Sequence, residues 1–211
     1  MRITPTRNTP QRNTPAASAA VPHLFVGEMS AKERMRVRDI LVATGVFREQ
    51  EIDVAIELFD EVFGTPIAID GTSTVYSTKP PPSEDYFFIG AFTGNDELVG
   101  FACYGPTPGT DRTFDLYWIA VHPSEQGSGS GTVLLNEVER RLRGLNARLI
   151  VVETSSRADY KNTRGFYFRR GYAEAARAKD FYAPADDRIT FTKRLQSRDP
   201  MEWVAQGVEQ Q

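Results

Sequence analysis

Between positions 119 and 135 the chain reads Ile119-Ala120-Val121-His122-Pro123-Ser124-Glu125-Gln126-Gly127-Ser128-Gly129-Ser130-Gly131-Thr132-Val133-Leu134-Leu135. An apolar strand pattern runs into three glycines at alternate positions, and a helix pattern starts at once behind them. Glycine lets the backbone approach a ligand closely with several amides converging on it. The helix beginning near Ser130 adds unsatisfied N–H groups and a positive dipole end. The segment therefore reads as an anion site of the phosphate-holding kind. A flexible Gly/Ser linker is the plain alternative, and it fits poorly because ordered patterns abut the turn on both sides.

Three phosphate ligands compete for this turn. A nucleotide P-loop needs Lys-Ser/Thr after the last glycine, and Thr132-Val133 stands there instead. A dinucleotide turn wants G-x-G-x-x-G with an acid about 20 residues on; Glu153 supplies the acid, but the glycine spacing differs. The surrounding pattern, a single strand–turn–helix–strand unit after a run of strands, is also not two mononucleotide halves. The third ligand is the pyrophosphate of coenzyme A.

The rest of the chain supplies the setting. Residues 1 to 20 carry a Thr-Pro-x-Arg-Asn pentad at Thr4, Thr9 and Thr14 with almost no large apolar residue, the composition of a disordered tail. Ser30 followed by Glu33 has capping-box spacing, so a helix is expected to follow and to end near Gly45. A second helix is expected over Glu49–Phe63, where Ile52, Ala55, Ile56, Phe59 and Phe63 recur at helical spacing. Residues 65 to 84, with Pro80-Pro81-Pro82, read as a loop. Three strands then follow, Tyr86–Phe92, Leu98–Tyr104 and Thr113–Val121, separated by turns at Gly94-Asn95-Asp96 and Gly105 to Gly109. A helix over Thr132–Arg143, an apolar strand over Ala147–Thr154, a helix over Thr163–Arg170 and strands near Tyr172–Asp180 and Arg188–Lys193 complete the pattern. The fold class is α/β: a mixed, mostly antiparallel sheet with helices on its faces. One domain is expected over 21–195, with a polar C-terminal tail over 196–211.

Bulk properties exclude several function classes. A net charge of −3 gives no attraction to nucleic acid or to an anionic membrane. No apolar run approaches the roughly 20 residues of a membrane span. The N-terminus lacks the apolar core of a signal peptide, and Pro5, Pro10 and Pro15 would break the amphipathic helix of an organelle presequence. Cys103 is the one cysteine and sits in an apolar run; it cannot form an internal disulfide, so a reducing, cytoplasmic location is expected. With His23 and His122 as the two histidines, no structural zinc set exists, and no metal is expected.

Gln126-Gly127-Ser128-Gly129-Ser130-Gly131 matches the Q/R-x-x-G-x-G/A motif of the GNAT superfamily of acyltransferases at each defined position. The preceding Ile119-Ala120-Val121-His122-Pro123 and the following Leu134-Leu135 also fit, and the resemblance runs over about Tyr86 to Leu195. It implies a sheet with splayed central strands. It further implies that the backbone from Gly127 to Thr132, with Gln126, Ser128, Gly129, Ser130 and Gly131, holds the pyrophosphate of acetyl-CoA. The edge of Ile119, Ala120 and Val121 would pair with the pantetheine arm as an added strand. Phe166-Tyr167-Phe168-Arg169-Arg170-Gly171-Tyr172 resembles the family's F-Y-x-x-x-G-F/Y, which makes Tyr167 the candidate acid for the departing thiolate. Where many members place an asparagine seven residues earlier, this chain has Tyr160, so that pantetheine contact is not carried over.

An aliphatic ammonium has a pKa near ~10 and must lose a proton before it attacks a thioester. Candidate bases are Glu153, at the end of the central strand, and Asp115, inside the third; Asp115 also fits a solvent-facing strand position. The acceptor pocket is expected from Thr44, Val46 and Phe47 on one side and from Phe181, Tyr182, Asp186 and Asp187 on the other, a set that suits a cationic amine. The expected activity is transfer of an acetyl group from acetyl-CoA to a small-molecule primary amine by direct attack in a ternary complex. A protein lysine or N-terminal acetyltransferase and a non-catalytic acyl-CoA-binding module are the alternatives. A homodimer through sheet edges or the C-terminal segment is compatible with the pattern.

Overall fold

The computed structural model describes residues 24–64, 66–69, 73–76 and 85–195. The pentad repeat, the Pro80–Pro82 run and the C-terminal stretch from 196 lie outside them. Among the described residues nine strands and four α-helices follow in the order β1 (Phe25–Glu28), α1 (Arg34–Thr44), α2 (Glu49–Phe63), β2 (Pro66–Ile69), β3 (Ser73–Tyr76), β4 (Phe87–Phe92), β5 (Leu98–Pro106), β6 (Thr113–Val121), α3 (Ser130–Gly144), β7 (Leu149–Ser155), α4 (Lys161–Phe168), β8 (Ala173–Ala183) and β9 (Asp186–Arg194). Seven strands form one sheet ordered β1-β4-β5-β6-β7-β9-β8, and β2 and β3 form a separate hairpin. Every pairing in the large sheet is antiparallel except β6 with β7. This is the expected mixed, mostly antiparallel α/β sheet.

Helices cover both faces, so the central strands are apolar throughout rather than alternating. Eight of the nine residues of β5 are buried. On one face Val37, Ile40 and Leu41 of α1 and Ile52 and Phe59 of α2 pack on Phe88, Phe101 and Cys103. On the other, Leu134, Leu135, Val138 and Leu142 of α3 and Tyr167 of α4 pack on Ile150, Val152 and Phe191. The Cys103 thiol is fully buried, and burial pushes its pKa up, so it is a packing residue and not a nucleophile. The Ser30–Glu33 box forms as spaced: the Glu33 carboxylate accepts from the Ser30 amide at 2.7 Å and from its hydroxyl at 2.9 Å. Gly45 closes α1 in the left-handed region at φ 68°.

Three elements differ from expectation. β1 was not anticipated, because four residues containing Gly27 carry too short an alternation; it exists by pairing with the outer edge of β4. The hairpin β2–β3 occupies part of the stretch read as a loop. β8 runs on past Asp180, whose positive φ of 50° marks an irregularity in the β8–β9 ladder and mimics a strand end in the sequence.

Candidate active site

The one parallel contact in the sheet sets the site. β6 and β7 pair only from Thr113↔Leu149 to Leu116↔Val152. Beyond that point Trp118 to Val121 pair with β5 alone, and Glu153 to Ser155 pair with β9 alone. Two strand edges therefore face each other across a widening gap with no strand partner on that side, the Val121 and Ser155 carbonyls at its far end being taken by the Gln126 and Arg164 side chains; an open edge of this kind accepts an extended chain as an added strand. A bulge starts the divergence. Cys103 opposes Trp118 while Tyr104 opposes Leu116, which leaves Tyr117 as the extra residue on β6. A bulge bends its strand and increases local twist, and here it turns β6 away from β7.

At the far end of β6 the chain enters the glycine turn. Gly127 and Gly129 have φ of +84° and +98°, values L side chains rarely adopt. Gly129 caps α3, and its carbonyl accepts from the Thr132 and Val133 amides at 2.8 and 3.0 Å. The amides of Gly127, Gly129, Ser130 and Gly131 find no backbone acceptor among the described residues. They form the group of free donors at a helix N-terminus that an anion would satisfy. Gln126 ties the turn to the strand, its Nε2 donating to the Val121 carbonyl at 3.1 Å. Arg170, which sequence reading passed over as an unspecified position of the α4 motif, lies beside this turn. Its guanidinium stacks 3.7 Å from the Phe166 ring centre and donates to the Thr132 hydroxyl. Its Nε is buried without a partner, so an undercompensated cation adjoins the first turn of α3.

The gap opens into a cavity of about 560 Å³. Asp115 and Glu153 both line it. Because Asp115 pairs with Val151, the two carboxylates lie on one face of neighbouring strands, offset by two residues. Asp115 is half-buried; burial raises its pKa, and a 2.7 Å hydrogen bond from the Thr107 hydroxyl partly counters this. It is a half-buried residue on the cavity wall. Glu153 stands one residue past the last β6–β7 pair, and the Arg188 guanidinium approaches it at 3.5 Å.

Of the expected acceptor residues, Phe47, Tyr182 and Asp186 line the cavity, whereas Thr44, Val46, Phe181 and Asp187 do not. Val46 instead gives its carbonyl to Arg157 at 2.9 Å, and Asp187 pairs with Arg177 at 3.0 Å. Asp186 is buried and is held by Arg48 at 3.0 Å and by the Ser155 hydroxyl, which fastens the β8–β9 turn to both α2 and β7. Tyr117, Trp118 and Tyr160 complete an aromatic wall. Burial raises the Tyr160 phenol to about 12, and its hydroxyl reaches the Val46 carbonyl at 3.4 Å. Sequence reading missed these aromatics because a strand bulge and a loop bring them together from separate segments.

Tyr167 is placed differently. It is not on the cavity wall; its ring packs against Phe166, Tyr172 and Phe191 at 5.3 to 5.9 Å. Burial pushes its phenol pKa up, so it is protonated at any working pH. No group of His, Cys, Asp and Glu among the described residues could hold a metal ion.

Comparison with known proteins agrees with this geometry. The model of the acetyltransferase (GNAT) family matches residues 55–172. A crystal structure from Desulfovibrio desulfuricans assigned to GNAT-family acetyltransferases is 36% identical, with a TM-score of 0.68 over 82% of this chain and 100% of that one. An uncharacterised N-acetyltransferase of Methanocaldococcus jannaschii is 26% identical over 149 residues, 70% of this chain and 88% of its own. In fold alone, the chain is similar to an aminoglycoside 6′-N-acetyltransferase complexed with coenzyme A, at 16% identity and a TM-score of 0.60 over 82% of this chain and 98% of that one. With a family match that spans both the glycine turn and the Tyr167 motif, on a sheet whose β6 and β7 part beyond Leu116, the chain belongs to the GNAT family of acetyltransferases.

Proposed function

We propose that this N-acetyltransferase moves the acetyl group of acetyl-CoA to a primary amine of a small cationic molecule. The observation that carries the donor is the set of four free amides at the N-terminus of α3, one short turn beyond the open edge of β6. Pyrophosphate on the amides from Gly127 to Gly131 puts the pantetheine along Ile119 to Val121 and the thioester in the gap beside Tyr117 and Glu153. The cavity composition carries the acceptor. Its lining holds four carboxylates, Glu51, Asp115, Glu153 and Asp186, against two guanidinium groups, Arg48 and Arg157. Asp186 is paired with Arg48, Arg188 approaches Glu153, and Arg157 is engaged with Asp159, which leaves Glu51 and Asp115 with no ion pair among the described residues. Excess carboxylate among aromatic rings attracts cations, and a second ammonium on the acceptor would use the carboxylate that the reacting nitrogen does not.

In this reading Glu153 takes the proton of the attacking amine, because it is the carboxylate nearest the open gap. Asp115 holds the ammonium from behind. Tyr167 stays protonated on the α4 side; acting as the acid for the departing thiolate requires its hydroxyl to reach the bound arm from behind the cavity wall. The net charge of −3 gives no attraction to nucleic acid or anionic lipid, in keeping with a small-molecule acceptor.

Titration calorimetry with acetyl-CoA, NAD and ATP tests the donor, and thiol release over a panel of monoamines, diamines, amino acids and lysine peptides tests the acceptor. The expected result is binding of acetyl-CoA alone among the three, with diamines turned over at the highest kcat/KM. Preference for peptides would identify a protein acetyltransferase. Tight acetyl-CoA binding with no turnover on any amine would identify a binding module.

Thr107 gives a prediction for pH. Its hydrogen bond lowers the Asp115 pKa against the upward push of burial, so Thr107→Val leaves the carboxyl protonated to higher pH. The acidic limb of kcat/KM for the amine is expected to move to higher pH in the variant. An unmoved limb would remove Asp115 from both ammonium binding and proton transfer.

A further inference from the structure

Thr154 sits on β7 two residues past the last β6–β7 pair, on the wall of the gap. The side chains on its face of the strand, Ile150 and Val152, are buried and apolar, and so is Ile189 opposite it on β9. A valine would continue that row. The chain instead places a hydroxyl there, 5% exposed as a residue, and its Oγ1 is buried with no hydrogen-bond partner. Buried hydroxyls are ordinarily paired, because an unpaired one has lost its water and gained nothing in return. An extended strand also offers a threonine no local backbone carbonyl of the kind a helix supplies one turn back. Thr154 is among the residues that line the gap, so a ligand seated there is the partner close at hand.

We propose that the Thr154 hydroxyl is a binding group for the acyl-carrying arm of the donor, donating a hydrogen bond to a carbonyl oxygen of the acyl-pantetheine threaded between β6 and β7. This rests on the reading of the gap as the acetyl-CoA channel. Position 154 is one residue beyond Glu153, and successive strand residues point to opposite faces. The base therefore addresses the amine from the α1–α2 side while Thr154 addresses the arm from the α3–α4 side. If the accepting oxygen is that of the thioester, the bond strengthens as that oxygen gains charge in the tetrahedral intermediate and the effect falls on kcat. If it is an amide oxygen of the pantetheine, the effect falls on affinity.

The free protein and the complex respond to Thr154→Val with opposite signs, which separates a ligand-directed hydroxyl from a structural one. Removing an unpaired buried hydroxyl while keeping the side-chain volume is neutral or stabilising for the fold, whereas the complex loses a hydrogen bond. Thr154→Val is expected to leave Tm unchanged or raised and to lower kcat/KM for acetyl-CoA about 10-fold or more. Thr154→Ser keeps the hydroxyl and is expected to retain most of the wild-type value. Calorimetry with acetyl-CoA and with free CoA assigns the oxygen: equal weakening of both points to the pantetheine amide, and a loss confined to kcat points to the thioester. Unchanged kcat/KM in Thr154→Val, or a fall in Tm with activity intact, would overturn the proposal. Wild-type protein titrated in parallel keeps the two readings apart: no acetyl-CoA binding there would refute the channel itself, whereas normal binding unaltered by the valine would refute only the role of Thr154.

Discussion

Gly129→Glu is expected to weaken acetyl-CoA binding by at least ~10³-fold and to abolish turnover, with the fold retained. Two effects contribute and can be separated. The first is strain, since Gly129 has φ +98° and a side chain there costs roughly 1–2 kcal/mol. No atom lies within 4 Å of a Cβ built at this position, so there is no clash to add. The second is charge. A carboxylate within about 4 Å of a phosphate opposes it by roughly 4 kcal/mol at the effective dielectric of a protein surface, and a pyrophosphate carries more than one such charge. The same carboxylate is mildly favourable to the free helix N-terminus, by about 0.3–1 kcal/mol, which offsets part of the strain. Gly129→Ala and Gly129→Lys carry the strain without the negative charge, so both are expected to bind far better than the glutamate variant. Calorimetry on all three decides. Equal losses in alanine and glutamate variants would mean that backbone conformation alone matters and that no phosphate approaches this turn.

Glu153→Gln is expected to lower kcat by about 10²-fold or more, within the range general bases contribute, while acetyl-CoA affinity stays near wild type. The glutamine preserves shape and hydrogen-bonding capacity but cannot take a proton from the amine. Asp115→Asn is expected to act mainly on KM for the amine, since Asp115 sits behind the point where β6 and β7 part and Glu153 sits just past it. Single-turnover rates of acetyl transfer, measured alongside steady-state constants, separate chemistry from binding. If Asp115→Asn carries the kcat loss and Glu153→Gln does not, the two carboxylates exchange roles. If neither changes kcat, the amine arrives deprotonated or loses its proton to water, and the cavity acids serve binding alone.

The parts of this site that were readable in the sequence are those in which one short segment carries the whole geometry. The turn from Gln126 to Gly131 is such a segment: strand, glycines and helix start lie within a dozen residues, and local backbone physics makes it an anion cradle wherever it is placed. The cavity is the opposite case. Tyr117 enters it through a bulge visible only in the β5–β6 register. Arg48, Ser155 and Asp186 join across as many as 138 residues of sequence. Arg170 reaches the glycine turn through contacts with Phe166 and Thr132 that no spacing rule encodes. Thr154 reads in the sequence as one more β-branched residue in an apolar strand; only the absence of a partner for its hydroxyl distinguishes it.

What the sequence by itself determined was therefore the phosphate turn, the helices with their caps, the strands long enough to show a pattern, and with them the α/β class. These depend on interactions among residues near one another in the chain, so local order carries them. The tertiary structure decided where β6 and β7 part and which side chains look into the resulting gap. It brought Asp115 and Glu153 onto one face and set Tyr167 behind the wall rather than in it. Pairing partners, bulges and burial are properties of segments meeting across long stretches of chain. Their outcome depends on packing the whole sheet between its two helical layers.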